Sequence, residues 1–114
     1  MERTYDYENL ALGFSDYADS RIEVVLSDFN LSEKYVFVTL TDPTSGVSED
    51  VCLWNGTPAL RWKFDAYRKL FFQLTGSKAL RPSLEAMKTS KKAFEVFINA
   101  SGDVSGPNAL KEST

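Results

Sequence analysis

Apolar and polar residues alternate along three stretches in the first half of the chain. A period of two is the mark of a strand with one buried face. From Arg21 onward, Ile22, Val24 and Leu26 alternate with Glu23 and Val25, and the pattern stops near Asp28. Val36, Val38 and Leu40 then alternate with Tyr35, Phe37 and Thr39. With residues 29–34 as the connection, these two runs predict an antiparallel hairpin. Asp42-Pro43-Thr44-Ser45-Gly46 carries turn chemistry: an acid to bond the backbone, a proline next, and a glycine where the chain must bend. It leads into a third strand over residues 47–54, so the expected unit is a three-stranded meander ending at Asn55-Gly56.

The period then changes from two to about 3.6. Thr57-Pro58 is a helix opening, because a threonine oxygen can cap free amides and proline tolerates the first helical position. The helix is expected over residues 58–75, with Leu60, Phe64, Tyr67, Leu70, Phe71 and Leu74 on one face and Gly76 as its stop. A shorter helix is expected from Pro82 through Leu84 and Met87. Residues 93–99 read as a last strand, with Phe94, Val96 and Ile98 on one face and Glu95 and Phe97 on the other.

The two ends lack a sustained period. Residues 1–20 combine acids with Tyr5, Tyr7, Phe14 and Tyr17, which predicts an arm packed by its aromatic residues. Residues 101–114 offer too little apolar surface to offset the entropy of ordering them, so a flexible tail is expected there. The predicted fold class is α+β: a small antiparallel sheet of about four strands, packed on one long and one short helix, within a single domain over residues 21–100.

Composition narrows the function. The chain has 114 residues, 43% apolar and 25% charged, which suits one ordinary globular core. A polar start and the lack of a long apolar run predict a cytoplasmic protein with no membrane partner. Cys52 is the single cysteine and histidine is absent, so a monomer has no internal disulfide and no zinc site of nitrogen and sulfur ligands. Nucleophile and phosphate-loop motifs do not occur. Glu49-Asp50 is the one adjacent acidic pair that could serve carboxylate chemistry, but strand neighbours point to opposite faces. Asp16, Asp19 and Asp42 lack the spacing of a calcium loop. We therefore expect no catalytic residues, no metal and no cofactor, and hence no enzyme.

Charge alters this picture more than composition does. Residues 1–60 hold three basic against eleven acidic side chains, a net of −8. Residues 61–92 hold nine basic (Arg61, Lys63, Arg68, Lys69, Lys78, Arg81, Lys88, Lys91 and Lys92) against two acidic, a net of +7. On the polar side of the long helix, Arg61, Trp62, Asp65, Arg68, Lys69 and Phe72 fall together. Cations hold phosphates and aromatic faces stack on unpaired bases, so this mixture suits single-stranded nucleic acid. Lys78, Arg81, Lys88, Lys91 and Lys92 extend it. The bland alternative packs Trp62 and Phe72 under the N-terminal arm. Tyr35 and Phe37 could likewise stack bases or fill the core, and core is the expectation.

The element order is close to that of an oligonucleotide-binding barrel. The stretches Ile22-Glu23-Val24-Val25-Leu26, Tyr35-Val36-Phe37-Val38-Thr39-Leu40, Val51-Cys52-Leu53-Trp54, Leu70-Phe71-Phe72-Gln73-Leu74-Thr75-Gly76 and Lys92-Ala93-Phe94-Glu95-Val96 resemble small phage-encoded proteins that are themselves similar to single-stranded DNA-binding proteins. The resemblance implies a DNA-binding role. Two features depart from it: nothing after Asn99 is expected to supply a fifth strand, and the first two strands lie in the acidic half.

Two functions follow. The first is a protein-interaction module, such as a phage or mobile-element factor that inhibits a host protein, whose acidic surface includes Asp6, Glu8, Asp16 and Asp19. The second is single-stranded nucleic-acid binding through the basic, aromatic face of residues 61–92. A homo-oligomer joining the unlike halves is a further expectation.

Overall fold

The computed structural model describes residues 14–107. Five antiparallel strands form one curled sheet, a half-barrel, in the order β3-β2-β1-β4-β5. They are β1 (Ser20–Leu31), β2 (Val36–Thr41), β3 (Ser48–Trp54), β4 (Phe94–Ile98) and β5 (Val104–Pro107). Two helices, α1 (Arg61–Thr75) and α2 (Leu80–Ser90), lie between β3 and β4. The α+β, partly open barrel architecture is as expected, with one more strand than the hydrophobic pattern predicts.

β1 is longer than its alternation suggests because the alternation changes phase inside it. Ile22, Val24 and Leu26 turn inward from even positions, while beyond the irregularity between Leu26 and Asp28 the inward residues are Phe29 and Leu31. Leu26 pairs with Leu40 and Asp28 with Thr39, so Ser27 is the extra residue of a β-bulge. Its hydroxyl donates to the Thr39 carbonyl (3.2 Å) and shares a hydrogen bond with the Thr41 hydroxyl (2.9 Å). The strand is divided between two neighbours: Ser20–Val24 pairs with β4 and Val25–Leu31 with β2. That division curls the sheet.

The long helical stretch begins with a 3-10 turn, Pro58–Leu60, and runs into α1. Thr57 has the extended backbone of a cap but makes no side-chain cap bond; the Asn55 carboxamide instead accepts the Thr57 N–H at 3.0 Å. Gly76 ends the helix at φ 79°, in the left-handed region where a side chain is strained. The Lys92 ammonium donates to the Leu74 carbonyl at 2.7 Å, placing a cation at the negative end of the helix. α2 starts at Leu80, two residues before the expected Pro82, since proline is tolerated anywhere in a first turn whose N–H groups have no helical partner.

The core lies between the inner sheet face and the helices, with Val24, Leu26, Val38, Leu40, Leu53, Tyr67, Phe71, Leu84, Met87, Val96 and Ile98 fully or almost fully buried. Phe14, in the short 3-10 helix Phe14–Tyr17, is also fully buried, and its N–H donates to a Glu49 carboxylate oxygen (3.0 Å). Of the expected aromatic arm, Tyr5 and Tyr7 lie outside the described residues.

A tail from Ser101 is not what the chain forms. The Asn99 side chain accepts the Ser101 and Asp103 N–H groups (2.9 and 3.0 Å), closing a tight turn that returns the chain as β5 along β4. Val104 is 3% exposed. This strand escapes a hydrophobic reading because its attachment is polar: the Lys63 ammonium donates to the Val104 carbonyl (2.9 Å) and the Tyr67 hydroxyl to the Ser105 carbonyl (2.8 Å). Residues 108–114 lie outside the described residues. On the other side of α1, the Phe64 ring meets Trp54 of β3 at 5.7 Å. Among the described residues β3 and β5 are the sheet's two edges, and α1 spans the gap between them.

Two outcomes follow from these bonds. Tyr67→Phe, which removes one hydroxyl bond from a fully buried ring, should cost about 1 kcal/mol of unfolding free energy in urea titration. It should also accelerate amide exchange in β5 before β2; uniform acceleration in both strands would show that the bond does not secure β5. The second outcome concerns acid. The Thr44 N–H above all holds the Asp42 carboxyl below its ordinary value of 3.8; burial opposes it, and Ser45 and the Tyr17 hydroxyl add to the lowering. A depressed carboxylate contributes stability that is complete above its unfolded value and disappears as pH falls through the folded one. Thermal unfolding of the wild type should therefore lose more between about pH 6 and about pH 3 than that of Asp42→Asn, and equal losses would assign the acid sensitivity elsewhere.

Candidate functional site

The basic residues of 61–92 do not converge on a single patch. Arg68, Lys69, Phe72 and Lys78, with Asp65, line a shallow groove of about 320 Å³ on the outer side of α1 and the turn after it. Phe72 is exposed within it. The Arg68 guanidinium lies over the Phe64 ring, 5.7 Å from its centroid, and reaches the Lys78 carbonyl. Arg61 and Trp62 lie at the other end of the helix, about 15 Å from Phe72 at the helical rise of ten residues. Arg61 covers the Trp54 ring (5.4 Å). Trp62 is 53% exposed, yet one edge of its ring rests on the β5 backbone: a Cβ at Gly106 would lie 3.1 Å from its Cζ3.

Other cations serve the fold. Lys63 is half-buried against β5; burial pulls its ammonium below the ordinary lysine range, while Asp103 and Glu49 oppose the shift. Lys88 forms an ion pair with Asp28 at 3.2 Å and lies 6.0 Å over the Phe29 ring, so here the basic and acidic halves neutralise each other. Lys91 takes a left-handed backbone at the end of α2, and Lys92 caps α1. Arg81 is exposed in the first turn of α2.

Of the expected acidic surface, Asp6 and Glu8 lie outside the described residues, and Asp16 falls in the short helix Phe14–Tyr17. Asp19 is exposed in a turn at φ 62°, its N–H donating to the Ile98 carbonyl (2.8 Å).

A second recess, of about 410 Å³, opens on the outer face of β1, β2 and β3. Strand register creates it. Asp28 pairs with Thr39 and Thr39 with Asp50, which sets two carboxylates on either side of one hydroxyl in a row across three strands. The neighbouring row is Asn30, Phe37 and Cys52. Phe37 is 36% exposed, and Tyr35 meets it edge-on at 5.2 Å and 79°. The expectation that Tyr35 and Phe37 fill the core is thus corrected: Val36, Val38 and Leu40 take the inner face, and strand alternation turns the two rings outward.

Both carboxylates are anchored. Asp50 accepts the Thr39 hydroxyl at 2.6 Å. Asp28 accepts the Phe29 N–H (2.9 Å) and the Lys88 ammonium, and these bonds, the backbone one foremost, hold its carboxyl below the usual range. Asp28 and Thr39 are absent from the residues the sequence singles out, and Asp50 enters there only as half of the Glu49-Asp50 pair, because only the cross-strand register brings the three together. The outward phase of Tyr35 and Phe37 was the available signal.

No family model, curated protein or solved structure matches the chain. No helix among the described residues is long and apolar enough to cross a membrane.

Proposed function

We propose that this chain is a non-catalytic protein-interaction module that takes a basic segment of its partner in the recess on the outer face of β1–β3. The observation that carries this reading is the Asp28–Thr39–Asp50 row beside the exposed Phe37–Tyr35 corner. Carboxylates repel the phosphates of a nucleic acid and accept charge-assisted hydrogen bonds from lysine and arginine. Aromatic faces attract the same cations. The face of the half-barrel that strands β2 and β3 build is therefore suited to a cationic partner, in contrast to the nucleic-acid-binding face of an oligonucleotide-binding barrel. A carboxylate face that competes with nucleic-acid phosphates for a basic protein would act as its inhibitor, the role of a phage or mobile-element factor.

A second reading, single-stranded nucleic-acid binding, is favoured by the groove in which Arg68, Lys69 and Lys78 surround the exposed Phe72 ring. One pair of measurements separates the two. Immobilised protein should retain from cell extract a stoichiometric basic partner that salt releases, and Asp50→Asn should weaken its binding about tenfold or more. Oligothymidylate should bind weakly and without response to Asp50→Asn. Tight, salt-sensitive oligothymidylate binding that Phe72→Ala abolishes, with no protein retained, would replace the first reading by the second.

A further inference from the structure

Building on the sheet-face reading, we infer that the recess selects an arginine side chain of the partner over a lysine. Three features of the recess point to the planar cation. First, the Phe37 ring is 36% exposed and offers aromatic surface to a flat cation, with the Tyr35 ring beside it at 79°. Second, Asp50 stands opposite Thr39 and hence diagonal to Phe37, at the roughly 7–8 Å of diagonal neighbours in a sheet. A guanidinium lying flat on the ring has N–H groups directed sideways in its own plane, so it can stack and still reach a carboxylate at that offset. An ammonium is a compact, strongly hydrated charge that satisfies one of the two contacts at a time. Third, the Asp50 carboxylate is already fixed by the 2.6 Å bond from the Thr39 hydroxyl, so it is oriented before the ligand arrives.

The number of cations is set by Lys88. Its ion pair with Asp28 answers one of the two carboxylates from within the chain. The partner of Asp50 on the sheet is a neutral hydroxyl, which leaves a charge for the ligand to balance. The recess therefore takes one arginine, and its volume of about 410 Å³ leaves space for the backbone that carries it.

The test is a nuclear magnetic resonance titration of the full chain with oligoarginine and oligolysine peptides of equal length. Oligoarginine should bind about three- to tenfold more tightly, the range of a stacked cation, with amide shifts centred on Phe37, Thr39 and Asp50. Phe37→Leu should abolish the preference, whereas Phe97→Leu, which alters an exposed ring on β4 outside the recess, should preserve it. Asp50→Asn should weaken both peptides. Equal affinities in the wild type, with shifts in the recess, would overturn the arginine inference and leave the basic-segment reading standing. Shifts confined to residues outside the recess, or none with either peptide, would overturn both.

Discussion

Among the described residues the sheet curls without joining its own edges, β3 and β5, and α1 occupies the opening between them. The helix meets β3 through Phe64 and Trp54, and meets β5 through the Lys63 and Tyr67 bonds to carbonyls. Unpaired strand edges expose backbone groups that invite further pairing. Tyr67 joins both demands in one side chain, its buried ring filling the core and its hydroxyl satisfying a carbonyl of β5. Burial pushes the phenol above the ordinary tyrosine range. The remaining architecture depends on this helix, because α2 and β4 follow from where it ends.

The parts of the fold that rest on a single uninterrupted period were legible in the sequence. β2, β3, β4 and the helical stretch through Thr75 are recognisable from which residues recur on one face. What was not legible depends on contacts between distant residues. β1 looks short because the bulge at Ser27 reverses the phase of its apolar positions. β5 looks like a tail because Val104 is its one buried apolar side chain, and the groups that hold its backbone come from α1. Thr57 offers a cap by its type, yet Asn55 supplies the acceptor used there.

The candidate sites divide in the same way. Arg68, Lys69 and Phe72 are grouped by helical spacing alone, and they share a groove. Arg61 and Trp62 have the right angular position but lie too far along the axis to join them. Charge counted along the chain also overstates the basic surface, since Lys63, Lys88 and Lys92 are engaged by a strand, a carboxylate and a helix end. The acidic, aromatic recess is a product of register, in which residues 22 apart in sequence stand two strands apart on one face.

The bulge in β1 ties the two sides of the sheet together. Were Ser27 paired in regular register instead of bulged, the strand would keep its first phase, turning Asp28 toward the core and Phe29 and Leu31 toward solvent. The bulge thus decides that the inner wall is apolar and that the outer wall carries a carboxylate at that row. Specificity on the outer wall is consequently open to variation by side-chain replacement at a fixed register, and closed to variation by sliding the strand. A lineage that altered its partner would exchange residues at Asp50, Phe37 or Tyr35 while keeping Leu26 and Asp28 opposite consecutive residues of β2.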